Sequence, residues 1–284
     1  MASNQTLNWI YRYVLLPIGQ MLIFIVGAAV LLTVIAYLLA LIFPEPRPNI
    51  ILADQISKQL PGMIISGVTI GFVYAMIALG YTLVYGVLKF INFAHSEIFM
   101  FGSVVGFEII RRVDDGGLIP YWNPIIMVIV LVLGAMLASG LLAVLIERVA
   151  YRPLRGAPRL VPLISAIGIS FFLADFVRAF EAVTRNAFKL TYPVQDFELF
   201  RTPIALVIGQ STVNIRVTSI IVIVAAVLML VALNYFVNGT KLGRGIRAVS
   251  QDMATASLMG INVNWMISLT FFVGGAFGGA AGSL

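Results

Sequence analysis

No cysteine occurs in the 284-residue sequence. Disulfides, thiolate catalysis and cysteine-ligated metals are thereby excluded. Histidine is nearly absent: His95 stands alone, so histidine-rich metal sites are excluded as well. Charge is the third shortage. Asp, Glu, Lys and Arg make up 11% of the chain, against about 25% in a soluble domain. No stretch has a P-loop's GxxxxGK followed by Ser or Thr, so the chain does not cradle ATP in that way. The nearest string, "GTKLGRG" at 239–245, has the wrong spacing.

What remains is apolar. Hydrophobic residues make up 61% of the chain and mean hydropathy is +1.03. Apolar runs of about 18 residues or more suffice to cross a bilayer as helices. The chain therefore reads as an all-α, polytopic integral membrane protein. Its net charge of +6 fits basic cytoplasmic loops better than a nucleic-acid surface. The N-terminus, "MASNQTLNWIYRYVLLPIG", lacks a signal-peptide layout, and its apolar run reads as a permanent span.

Hydropathy predicts spans at 18–43, 62–88, 124–146, 160–180, 219–237 and 266–284. The prolines of "PEPRPN" (44–49) end the first, because prolines this dense cannot continue a helix. Gly67, Gly71 and Gly80 in the second would admit a close neighbour. A further apolar run, 98–110, is too short to cross unless extended back to Phe90. That extension brings Asn92, His95 and Glu97 into the membrane, or into a broken or re-entrant helix there. The count is thus about seven or eight spans or more, in a single transmembrane domain over 1–284, with 1–61 as N-terminal extension and first span. The last span stops without a polar flank, so further chain is expected beyond it. The polar stretch 184–218 is expected to form short strands or an interfacial helix.

Short-loop arginines and lysines set orientation. Loops 147–159 (Arg148, Arg152, Arg155, Arg159) and 238–264 (Lys241, Arg244, Arg247) are expected in the cytoplasm. With single crossings, the N-terminus is then cytoplasmic and 184–218 lies outside. The first loop reads as orientation plus lipid headgroup contact. Asp175, Arg178 and Glu181, spaced i, i+3, i+6, are expected to pair along one face.

Two stretches carry functional candidates. In "FINFAHSEIFMFG" (90–102), intramembrane polar groups are costly unless they face protein or water. Two readings stand open. The triad lines a path at a helix break, or Asn92 or Ser96 caps a helix whose first turn holds Glu97. Tyr81 and Tyr85 of the preceding span join Asn92, His95 and Glu97 as substrate-path candidates. No partner group for catalysis by His95 is identifiable. In "GTKLGRGIRAVSQDMATASLMGINV" (239–263), basic residues precede a short helix of small residues that Gly260 ends. That is a docking knob, or an ordinary positive-inside loop. Gly274, Gly278 and Gly282 form a small-residue packing stripe.

Three segments, "GFVYAMIALGYTLVYGVLKFINFAHSEIFMFGSVVGF", "ERVAYRPLRGAPRLVPLISAIGISFFL" and "GRGIRAVSQDMATASLMGINV", resemble the permease subunit of branched-chain amino acid ABC importers, the H-type Liv permeases. The likeness runs from about residue 62 to 284. It implies a transport subunit of the bacterial inner membrane, not an enzyme, which pairs with a second permease subunit, related or identical. Two cytoplasmic ATPase subunits, which bind the ATP and Mg, would drive it, and an extracytoplasmic binding protein would deliver the amino acid. No cofactor is implied in this chain and no nucleic acid among its partners; membrane lipid surrounds it. ABC permeases carry a coupling motif, EAA followed by three residues and glycine. Here it falls on Ala254, Thr255, Ala256 and Gly260, without the leading acid. The family's "INFAHGE" stands here with Ser96 in place of glycine.

A self-contained secondary transporter or channel for small polar solutes is the rival reading. It calls for ion-coupling acids at mid-span, and few are there. An intramembrane enzyme calls for a nucleophile with its base, or for metal ligands, and the sequence offers neither.

Overall fold

A computed structural model describes residues 16–42, 52–118, 121–158, 160–185, 203–208 and 211–284. The "PEPRPN" stop, Arg159 and most of 184–202 fall outside the described residues. The chain divides into two compact units, Met1–Val68 with Pro203–Ile215, and Thr69–Thr202 with Arg216–Leu284.

The described elements are α1 (Leu16–Ile42), α2 (Leu52–Leu88), α3 (His95–Asp115), α4 (Pro124–Ile146), a single π turn (Glu147–Tyr151) running into a 3-10 turn (Arg152–Leu154), and α5 (Leu160–Arg185). Then come β1 (Ile204–Ile208), β2 (Ser211–Ile215), α6 (Val217–Gly239), α7 (Lys241–Gln251), α8 (Met253–Leu258) and α9 (Val263–Ser283). The strands pair antiparallel, with Ile204 opposite Ile215 and Ile208 opposite Ser211. Short strands, not an interfacial helix, therefore occupy the described end of the polar stretch. Among the described residues, five helical stretches are long and apolar enough to cross a membrane: 62–88, 124–154, 160–185, 217–239 and 263–283. The fold is a polytopic helix bundle with one small hairpin.

Local chemistry fixes several ends. Asn123 caps α4 by accepting from the Ile125 N–H, and Pro124 opens the helix where no amide donor is needed. Asn262 accepts from the Trp265 N–H to start α9. Gly260, at φ +80°, ends the segment after α8 in the left-handed conformation that favours glycine.

In the larger unit α9 is the central helix. Its span is 72% buried, against 28% or less for the other four. The glycine stripe makes this possible. A Cβ on Gly279 would lie 2.5 Å from the Ala135 carbonyl oxygen and 2.6 Å from Ser139 Cβ of α4. One on Gly102 of α3 would collide with the Gly279 backbone, and one on Gly274 would lie 2.8 Å from the Gly80 carbonyl oxygen of α2. Backbones thus meet backbones at three helices. On α2 only part of the expected glycine face is used: Gly80 is in contact, whereas a Cβ on Gly67 or Gly71 would meet nothing within 4 Å. Ser139 Oγ donates to the Ile98 carbonyl, and Ile110 packs with Met127, so α3 runs antiparallel to α4.

Replacing Gly279 by Leu forces a side chain into this contact. Overpacking costs about 1–3 kcal/mol and at times more. The variant should show lower membrane levels and a lower melting temperature in detergent, while Gly67→Ala should match the wild type in both.

Candidate functional site

The stretch Phe90–Phe93 lies in the non-helical connection between α2 and α3. Lys89, at φ +59°, ends α2 in the left-handed region, and its N–H still bonds the Tyr85 carbonyl at 2.9 Å. The chain then runs through 89–94 before α3 begins at His95. His95 does not stay beside Leu88. Its ring lies 3.3 Å from where a Cβ on Gly80 would stand. Gly80 is two turns back along α2, about 12 Å at the helical rise. The connection therefore doubles back along α2, and α3 starts partway up the bundle.

Asn92 holds this connection. Its Oδ1 accepts from the Ala94 N–H (3.1 Å) and from the Tyr151 hydroxyl (2.7 Å). The second bond joins residues 59 apart in sequence. Because Oδ1 faces an N–H, the amide orientation is determined by its partners. Nδ2 points away and has no partner, although Asn92 is only 2% exposed. His95 is equally buried. Its imidazole bonds the Ile77 carbonyl and stands edge-on to Tyr81, with ring centroids 5.7 Å apart. Its Nε2 is unpartnered. Glu97 is half-buried and accepts from Ser170 Oγ of α5 (2.9 Å) and Ser96 Oγ (3.3 Å). Neither Asn92 nor Ser96 is the N-cap. That place is Ala94, with no side-chain cap, while Glu97 does sit in the first turn, where the helix dipole favours it.

An open cavity of about 510 Å³ adjoins the connection, lined by Tyr81, Asn92 and His95 with Ile77, Ile91 and Phe93 among others. Its wall is mostly apolar, broken by a few polar groups, as in many small-molecule sites. The structure brings Tyr81, Asn92 and His95 together there. Glu97 and the exposed Tyr85 are not in its lining.

The second candidate stretch forms two helices. Thr240 caps the strongly amphipathic α7 by accepting from the Gly243 N–H at 3.0 Å. Asp252 caps α8 by accepting from the Ala254 N–H, and Thr255 Oγ1 donates to it at 2.5 Å. These bonds, the one from Thr255 first, hold the Asp252 carboxyl below its ordinary value. The cap is therefore charged at neutral pH, and its contribution is lost only as pH falls through that depressed value. Ala254 and Thr255 are exposed, but Ala256 is buried in the core that includes Tyr151, Val249 and Phe271. The protruding side chains are Leu258 (88% exposed) and Met259 (78%).

The arginine loop differs from the headgroup-contact expectation. Arg152 and Arg155 turn inward to Glu147, whose side chain is fully buried. Arg152 Nη2 lies 3.0 Å from Glu147 Oε2, and Ser268 Oγ of α9 donates to the same oxygen at 2.8 Å. Arg155 also bonds Asn264 at the start of α9 (2.6 Å). One acid among four arginines was the sequence signal. The i, i+3, i+6 row splits in a similar way. Asp175 pairs with Arg178 at 3.1 Å, but Glu181 pairs with Arg185, which also meets Glu108 of α3 and lies over the Phe107 ring. Among the described residues, no group of three or more His, Asp or Glu side chains could hold a metal ion.

Glu147→Ala leaves Arg152 and Arg155 facing each other without their anion. Breaking a buried pair from one side costs about 3–5 kcal/mol. The variant should melt well below the wild type in detergent and accumulate poorly, whereas Arg148→Ala, at an exposed position, should do neither.

The profile of a family described as "Branched-chain amino acid transport system / permease component" matches residues 63–284. The high-affinity branched-chain amino acid transport system permease protein LivH of Escherichia coli K12 is 38% identical over 222 residues, covering 77% of this chain and 68% of the relative. BraD of Pseudomonas aeruginosa, another high-affinity branched-chain amino acid transport system permease protein, is 37% identical over 226 residues, 78% of this chain and 69% of the relative. A probable LivH of Methanocaldococcus jannaschii is 26% identical over 217 residues, 74% of this chain and 61% of the relative. No solved structure matches the chain. The matched region holds the broken connection, the Glu147 cluster and α7–α9 alike, and the chain belongs to the family of branched-chain amino acid transport permeases.

Proposed function

We propose that this chain forms the membrane path of an ATP-driven importer for branched-chain or other hydrophobic amino acids, in the bacterial inner membrane. The observation that carries the path is the connection 89–94, which sets the unpartnered amide of Asn92 and the imidazole of His95 against a mostly apolar cavity. A hydrophobic amino acid needs both features, an apolar wall for its side chain and a few polar groups for its charged end. Tyr81 shares that wall, while Tyr85 and Glu97 stand further along the same route. Buried polar groups without partners cost free energy, and a site that gains its partner only in passing is one account of why they persist.

Family membership supports the reading of the other components. Transport permeases of this kind work with other subunits. A second permease subunit completes the path, an extracytoplasmic protein delivers the substrate towards 184–218, and two ATPase subunits bind ATP and Mg in the cytoplasm. Segment 239–263 is their docking loop, with Ala254, Thr255 and Gly260 shaping α8 and Ala256 anchoring it to the core. Leu258 and Met259, apolar and exposed, suit an apolar cleft on the ATPase.

The test is uptake of labelled leucine by proteoliposomes containing the assembled complex. Asn92→Ala and His95→Ala should each lower uptake by roughly tenfold or more, the equivalent of about 1.4 kcal/mol, at normal levels of assembled protein. Wild-type uptake in both variants would remove 89–95 from the path. For docking, Leu258→Asp should weaken copurification of the ATPase subunits by about tenfold, since a buried leucine contributes about 1.5–3 kcal/mol. Its own fold should be unaffected because Leu258 is 88% exposed. Undiminished copurification would move the docking face elsewhere.

A further inference from the structure

The Tyr151–Asn92 bond joins two parts of the chain that the path and the docking loop do not by themselves connect. We propose that Tyr151 is a positioning residue: its hydroxyl latches the 89–94 connection to the end of α4, and the latch passes movement of the ATPase-docking loop to the substrate path. The proposal rests on the reading of 239–263 as that loop.

Three features of the geometry carry it. First, the bond has a defined direction. Asn92 Oδ1 already accepts from the Ala94 N–H, so the Tyr151 hydroxyl is the donor, and no flip of the amide preserves both bonds. Releasing Tyr151 therefore frees the side chain that organises the turn into α3. Secondly, Tyr151 closes the π turn Glu147–Tyr151. One extra residue in a helical turn is a local irregularity often found at functional sites. Here it brings two side chains of one turn to different tasks. Glu147 is tied by Arg152 and Ser268 to α9, while Tyr151 reaches the connection. Thirdly, the Tyr151 ring is packed against two other aromatic rings. It stands edge-on to Phe90 (5.4 Å between centroids) and tilted against Phe271 (5.7 Å). It shares its core with Ala256 of α8 and Val249 of α7. A displacement of α8 presses on the same packed cluster that holds the latch, and close-packed interiors transmit such strain. A tyrosine is the economical choice, because a phenylalanine would fill the space and leave the connection untied.

Tyr151→Phe keeps the ring and deletes the bond. Two measurements on the assembled complex decide its role. In hydrogen exchange, amides of 89–98 in the variant should exchange roughly three- to tenfold faster, the loss of one hydrogen bond, with 124–146 unchanged. Unchanged exchange at 89–98 overturns the latch. In proteoliposomes fed with the leucine-loaded binding protein, leucine taken up per ATP hydrolysed should fall by about the same factor. A wild-type ratio alongside faster exchange overturns the transmitting role. The double variant Tyr151→Phe with Asn92→Ala should be no worse than Asn92→Ala alone, because Asn92→Ala already removes the bond that Tyr151→Phe deletes. Losses that multiply overturn the pairing. If the wild-type complex itself takes up no leucine, the importer reading fails, and the exchange measurement still decides the latch.

Discussion

Everything in the larger unit depends on how closely the backbone of α9 approaches its neighbours. In lipid there is little hydrophobic gain from bringing helices together, since the tails are as apolar as leucine. Association must come from close contact and from polar bonds. Gly274 and Gly279 supply the first by admitting α2 and α4 to within contact of the α9 backbone, and Gly102 of α3 meets Gly279 in the same way. Bulkier residues at these points would hold the helices apart and empty the core built on Phe271, Ile267 and Ile98.

The connection 89–94 is possible only inside this packing. Non-helical backbone at membrane depth is tolerated where protein or a water-filled cavity surrounds it. Here three amides at its two ends are matched: Lys89 N–H to the Tyr85 carbonyl, His95 N–H to the Asn92 carbonyl, Ala94 N–H to the Asn92 side chain. Gly80 and Gly278 leave the room in which the His95 ring lies, so the glycines that pack the bundle also house the histidine. A cavity beside such a connection follows directly, because α3 fills only the part of the bundle above its own start.

Much of this was readable in advance, and the reason is physical. Bilayer thickness fixes the length of apolar segments, so the runs at 124–146 and 219–237 lie at or within two residues of α4 and α6. For the same reason the short run 98–110 reads either as a span carrying the polar triad into the membrane or as a broken element, and the structure leaves 89–94 non-helical and starts α3 at His95. The three segments that resemble the family likewise point to a permease from sequence alone. What escaped was side-chain direction. Spacing makes Arg152 and Arg155 look like outward charges of a positive-inside loop, yet a π turn swings the chain so that both meet Glu147. Ala256 looked like part of a docking face and is turned into the core, because the cap at Asp252 sets the phase of a helix only six residues long. Gly71 and Gly80 are alike in sequence and differ in whether a Cβ there would meet another described backbone within 4 Å.

The distribution of polar bonds along the bundle has a mechanical consequence. The strongest ones gather near helix ends. Glu147, Arg152, Arg155 and Ser268 tie the end of α4 to the first turns of α9, and Glu108, Glu181 and Arg185 tie the last turns of α3 and α5. Directional, charge-assisted bonds hold one geometry. Between these clamps the contacts of α3 and α9 are largely glycine and alkyl packing, which has no preferred direction beyond close fit, with the Ser139–Ile98 and Ser170–Glu97 bonds beside it. A bundle fixed at its ends and joined by non-directional contacts in the middle deforms most readily in the middle. The His95 ring, beside Gly80 and Gly278, lies in that middle part, while Asn92 is tied through Tyr151 to the clamped end of α4, so the connection runs from a fixed end into the part of the protein best able to change shape.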